Sequence, residues 1–152
     1  MPELIVTATP GPQPVLLYDG TCGFCAESVQ LVLRHDRRQT LRFAALQGEF
    51  GVAVRARHPA LEWVDSIVWV EPAGERGPER VLVRSDAALR VARYLGGWFT
   101  VARVGALVPR ALRDRAYDLI ARHRHRLLAT GPSCLVPPAE VRARFLDPVP
   151  RG

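Results

Sequence analysis

The chain has no lysine: all 21 of its basic residues are arginine, set against 15 carboxylates for a net charge of +6 over 152 residues. Genome composition accounts for that usage more simply than function does. A nucleic-acid reader would gather its basic residues on one face, interleave them with aromatics or carry a groove-reading motif. Here the arginines run along the whole chain, and aromatic residues make up only 7% of it. No specific nucleic-acid partner is expected. The densest basic cluster, Arg122-His123-Arg124-His125-Arg126, closes a helical pattern, where cations meet the negative end of the helix dipole. It reads first as a solvated helix end, and second as a contact for an acidic partner or an anionic membrane surface.

Long hydrophobic runs are also missing. The best candidate, Gly97 to Val108, is interrupted by Arg103 and closed by Pro109, well short of the roughly 20 apolar residues of a membrane span. No transmembrane segment is expected. The N-terminus, Met1-Pro2-Glu3-Leu4-Ile5, has neither the basic start nor the apolar stretch of a secretory signal. Cysteine is scarce and odd in number, with Cys22, Cys25 and Cys134, which argues against a disulfide-stapled secreted domain and for a reducing cytoplasm. The length is enough for one domain with its own core.

Two of those cysteines form Cys22-Gly23-Phe24-Cys25, directly after an apolar run and turn, Val15-Leu16-Leu17-Tyr18-Asp19-Gly20-Thr21, and directly before a helical pattern. A strand-to-helix junction suits redox chemistry. The first helical turn leaves backbone N–H groups unpaired and carries the positive end of the dipole, so a thiolate is stabilised there. Two intervening residues let one turn of helix bring both sulfurs within disulfide reach.

Residues 1–14, rich in Pro, Thr and Gly, read as a loose lead-in. Val15 to Tyr18 suits a strand buried on both faces. From Cys22 to about His35, Cys25, Val29, Val32 and Leu33 share a helical stripe that leaves Cys22 at the exposed tip. Leu41 to Ala45 predicts a second strand, and Phe50 to His58 a short helix stopped by Pro59. Ile67 to Val70 and Arg80 to Val83 predict a hairpin around a Pro/Gly-rich loop. Ser85 is expected to cap a helix from Asp86 to Leu95, closed by Gly96-Gly97. The order β-α-β-α-β-β-α predicts an α/β, thioredoxin-like fold with a mixed four-stranded sheet, because right-handed crossovers leave few alternatives. That core spans 15–97. Residues 98–152 are read as a helical extension packed on it, within a single domain. There, Leu112, Ala116, Leu119, Ile120, His123 and Leu127 mark one apolar face of a long helix, and a last short helix is expected around Glu140 to Phe145.

The segment Tyr18-Asp19-Gly20-Thr21-Cys22-Gly23-Phe24-Cys25 resembles the DxxCxxC signature of the DCC family of thiol-disulfide oxidoreductases, with Asp19, Cys22 and Cys25 at the matching positions. The resemblance continues through Phe43-Ala44-Ala45-Leu46-Gln47, Asp65-Ser66-Ile67-Val68, Arg84-Ser85-Asp86-Ala87-Ala88-Leu89 and Val108-Pro109-Arg110. It implies a thioredoxin-like fold and dithiol chemistry. Better-known thioredoxin-like proteins place a cis-proline before the third strand. Val64-Asp65-Ser66 stands there instead, and Asp65 has the charge to repel an acidic peptide or polarise a thiol.

The expected site is thus Cys22, Cys25 and Asp19, with Cys22 attacking, Cys25 resolving, and Asp19 either capping the turn or accepting the dithiol proton. Thiol or disulfide partners are expected, with no bound organic cofactor and no metal. Cys134 reads as a packed small hydrophobe before it reads as a further thiol. His123 is expected at the edge of the core, and Trp63, Trp69 and Trp98 inside it. The non-enzymatic alternative is a zinc-binding or interaction module in which Cys22, Cys25, Cys134 and His123 or His125 supply four ligands. A phosphatase reading of Leu16-Leu17-Tyr18-Asp19-Gly20-Thr21 fails, since Leu17 occupies the place of the nucleophilic aspartate.

Overall fold

The computed structural model describes residues 13–20, 23–75, 77–127 and 139–147, without the side chains of 23–26, 100, 102 and 124–127. Cys22 and Cys134 lie outside the described residues, and of Cys25 only the backbone position is described. Four short strands, β1 (Val15–Tyr18), β2 (Arg42–Ala45), β3 (Val68–Glu71) and β4 (Arg80–Val83), form one sheet in the order β2-β1-β3-β4. β1 and β2 are parallel, while β3 runs antiparallel to both β1 and β4. With helices α1 (Gly23–His35), α2 (Glu49–Arg57) and α3 (Arg84–Leu95) between and after the strands, this is a thioredoxin-like fold.

The continuous apolar run of β1 is explained by its central place: all four of its residues are buried, alternately on two faces. Leu16 and Tyr18 join Val29 and Val32 of α1 and Val91 and Tyr94 of α3 in one cluster. Val15 and Leu17 join Val54 of α2 and Leu61 in the other. α2 has little apolar periodicity, and it is seated by shape. A Cβ on Gly51 would strike the backbone carbonyl of Leu46 at 2.6 Å, so only glycine lets the helix approach the end of β2 this closely.

α2 is also tied to the sheet by charge. Arg57 donates to Glu79 from Nε and Nη2 at 3.0 and 2.9 Å, and His58 Nε2 lies 2.7 Å from the same carboxylate, just ahead of β4. The Arg57 hydrogen bonds, with a smaller contribution from His58, hold the Glu79 carboxyl below its ordinary range against the opposing effect of burial. A carboxyl depressed in the folded state adds stability above its unfolded pKa, and that stability is lost as pH falls through the folded value. Arg57 is half exposed, so the contribution is small. Glu79→Gln should therefore cost about 0.5–1 kcal/mol at neutral pH. In urea titrations at several pH values the deficit should shrink below the ordinary glutamate range, about pH 4.3, and vanish in stronger acid.

After α3 the chain forms a 3-10 segment (Gly97–Leu107), helix α4 (Arg110–Leu127) and a second 3-10 segment (Ala139–Arg144). Ser85 does not cap α3, which starts at Arg84 with no side-chain cap; its hydroxyl instead donates to Asp114 of α4. Arg110 and Arg113 of α4 reach Asp86 at 3.1 and 3.2 Å. These polar contacts seat α4 on α3, which has already covered that face of the sheet, and they turn the stripe of Leu112, Ala116, Leu119, Ile120 and His123 outward. His123 is therefore not at the core edge. Of the three tryptophans only Trp69 is in the core; Trp63 and Trp98 are 88% and 74% exposed.

The final described residues return to the edge of β2. Leu146 donates its N–H to Phe43 at 2.9 Å, and the Phe145 ring stacks on Phe43 with centroids 5.2 Å apart. Arg144 pairs with the buried Asp36, donates to the carbonyl of Leu41 at 3.0 Å and lies over the Phe43 ring. Phe43 is fully buried as a result, although β2 borders the sheet.

Candidate redox site

β1 ends at Tyr18 and α1 begins at Gly23, so the DxxCxxC segment bridges the central strand and the helix that covers it. Asp19 and Gly20 are the first residues past the strand. Cys25 is the third residue of α1, on the turn preceding the buried Val29. No acidic residue lies in the first turn of that helix, leaving the positive end of its dipole uncompensated by its own side chains.

The register explains what surrounds the turn. Tyr18 pairs with Ala45 across the parallel β1–β2 ladder, so Gly20 and Gln47, two residues further on, meet beyond the strand ends. Gln47 clamps the turn with both ends of its amide: Nε2 donates to Asp19 Oδ1 at 2.8 Å, and Oε1 accepts the Gly20 N–H at 3.2 Å. The turn is thus fixed by a residue 27 positions away, and Asp19 keeps one oxygen engaged by an amide. On the other side, β1–β3 pairing ends at Leu17 opposite Val68. Asp65 is exposed, three residues before β3 begins.

A second carboxylate arrives from the C-terminal return. Asp147 Oδ2 accepts the Ala45 N–H at 2.8 Å. Gly48 lets it in, for a Cβ there would collide with the Asp147 carboxyl. Burial, reinforced by the charge of Asp147, pushes the Tyr18 hydroxyl above its ordinary pKa, so it stays protonated at neutral pH. Gln47 and Asp147 received no role from sequence. Gln47 was accessible through the parallel register, whereas nothing local ties Asp147 to a strand about a hundred residues earlier. No metal-holding group of His, Cys, Asp or Glu occurs among the described residues.

The mixed four-stranded sheet and the helices that join and cover its strands define a thioredoxin-like class of protein. The comparisons with known proteins sharpen that class: residues 16–130 match the family model described as DCC1-like thiol-disulfide oxidoreductase, and the chain belongs to that family. It is 30% identical over 136 residues to the protein YuxK of Bacillus subtilis, described as uncharacterized, covering 89% of this chain and 95% of that one. It is 32% identical over 124 residues to a DCC family protein of Arabidopsis thaliana described as chloroplastic, covering 80% of this chain and 69% of that one. No solved structure matches the chain significantly. No helix among the described residues is long and apolar enough to cross a membrane.

Proposed function

We propose that the protein is a thiol-disulfide oxidoreductase whose redox couple is Cys22 and Cys25. One observation carries this reading: in a chain belonging to the DCC1-like family, the segment bearing both cysteines leads from the central strand into the N-terminus of α1. The Cys22 thiolate attacks a substrate disulfide, forming a mixed disulfide and expelling one substrate thiolate, which takes up a proton. Cys25 loses its proton and attacks Cys22 sulfur, releasing the second substrate thiol and leaving the Cys22–Cys25 disulfide. Two electrons have passed to the substrate, and a thiol donor of the thioredoxin or glutathione class restores the dithiol. Asp19 is the group that receives the Cys25 proton, and Gln47 positions Asp19. The cycle uses no bound organic cofactor and belongs in a reducing compartment such as the cytoplasm, where such a couple is kept poised.

Redox titration followed by thiol-specific alkylation and mass spectrometry tests the couple. One two-electron transition confined to Cys22 and Cys25 is expected. One zinc per chain, lost together with the fold on chelation, would overturn the reading in favour of a metal module.

Gln47 supplies a separate test. Gln47→Glu keeps the size of the side chain but sets a carboxylate against Asp19, and added negative charge beside a thiol opposes its ionisation. The pH profile of Cys22 alkylation should move to higher pH in Gln47→Glu. Gln47→Ala, which removes only two exposed hydrogen bonds, should lower stability by about 1 kcal/mol or less.

A further inference from the structure

The arginines are spread along the chain, but the net charge is not. Residues 1–96 hold eleven arginines against eleven carboxylates, whereas residues 97–127 hold seven against two. The same stretch holds seven of the eleven large apolar side chains that stand exposed among the described residues. In the 3-10 segment these are Trp98, Val101, Val104 and Leu107, each more than half exposed. Three residues per turn stack that spacing into a single row. In α4 they are Leu112, Leu119 and Ile120, on the outward stripe that the sequence marks as apolar. Arg115 and Arg122, seven residues apart, run along one edge of that stripe and are exposed. The inner sides of both elements rest on α3.

An apolar row bordered by arginines needs a cover that is itself apolar and negative. A second copy of the chain fails on charge, since it would set this basic face against its like. A lipid surface with anionic headgroups meets both needs, and it accepts protruding side chains without a matching pocket. We propose that residues 97–127 form a peripheral docking surface for an anionic bilayer. The row of Trp98, Val101, Val104 and Leu107 and the pair Leu119 and Ile120 enter the headgroup boundary, while the exposed Arg115 and Arg122 hold lipid phosphates. The elements lie on the membrane and do not cross it, in keeping with the lack of a spanning helix among the described residues. None of these residues belongs to the redox site, so the proposal stands apart from the dithiol reading.

Cosedimentation of the full chain with vesicles tests it, using phosphatidylcholine alone and phosphatidylcholine mixed with phosphatidylglycerol. Binding is expected only to the mixed vesicles, with loss at high salt. The double variants Leu119→Asp/Ile120→Asp and Arg115→Glu/Arg122→Glu should each weaken it by roughly tenfold or more while melting as the parent chain does. Absence of binding to the anionic vesicles would overturn the proposal, as would equal binding by the parent chain and both variants. So would a solution dimer dissolved by Leu119→Asp/Ile120→Asp, which would assign the face to a second copy. A large drop in melting temperature for that variant alone would show that the chain itself covers the face, and would equally overturn it.

Discussion

Cys22→Ser is expected to abolish disulfide reduction and to remove rapid alkylation near neutral pH. Cys25→Ser should leave a reactive Cys22 that accumulates as a stable mixed disulfide with its substrate. The asymmetry comes from the helix. Cys22 directly precedes α1, where unpaired N–H groups and the dipole favour a thiolate. Cys25 stands one helical turn before the fully buried Val29, and the proposed cycle has its thiol stay protonated until the mixed disulfide is presented to it. Since each serine removes one sulfur from a two-step exchange, the first variant cannot start the cycle and the second cannot finish it. Cys134→Ser should leave turnover intact. Mass spectrometry of the Cys25→Ser protein checks the order of attack: adducts on Cys134 with none on Cys22 would refute it. The trapped adduct would also identify the partner.

The largest stability effect is expected at Arg144. The Asp36 side chain is fully buried, accepts the N–H groups of Arg38 and Gln39 at 3.0 and 2.9 Å, and has Arg144 as its countercharge. Arg144→Ala leaves that carboxylate buried without a cation and frees the carbonyl of Leu41. Breaking a buried pair from one side costs about 3–5 kcal/mol. For a chain of this size each kcal/mol shifts the melting temperature by about 2–4 °C, so a loss of roughly 6 °C or more is expected. Asp36→Asn in the Arg144→Ala background should recover part of it, because the amide removes the uncompensated charge while keeping an acceptor for the two N–H groups. Thermal denaturation of both variants decides the matter. A loss below about 2 °C in Arg144→Ala would mean that the return of the chain to β2 contributes little to the fold.

Where local pattern decides conformation, the sequence was readable. Val15 to Tyr18 is apolar without alternation because its neighbours on both sides and helices on both faces exclude water. The spacing of Val29 and Val32 put α1 on the sheet, and the Pro/Gly-rich loop joined β3 to β4. The place of the DxxCxxC segment was legible for the same reason, since it falls where a strand ends and a helix begins within a few residues. Gln47 stood one step further off, visible only once the β1–β2 register was known.

Periodicity marks an apolar face but not what the face meets. The stripe from Leu112 to His123 has the spacing of a core face and points outward, because α3 already covers that side of the sheet and α4 is held to it by Ser85, Asp86 and their partners. Trp63 and Trp98 are exposed for a related reason: burial depends on which surfaces remain uncovered after the sheet and its helices assemble. Likewise β2, a border strand by topology, is closed by Phe145 and Arg144 from about a hundred residues away. By itself, then, the sequence determined the strands and the helices, because neighbouring residues specify backbone conformation. Only the tertiary structure decided which carboxylates gather at the end of β1, what covers β2 and which apolar face stays exposed. Those outcomes rest on contacts between segments distant in the chain, and no local pattern encodes them.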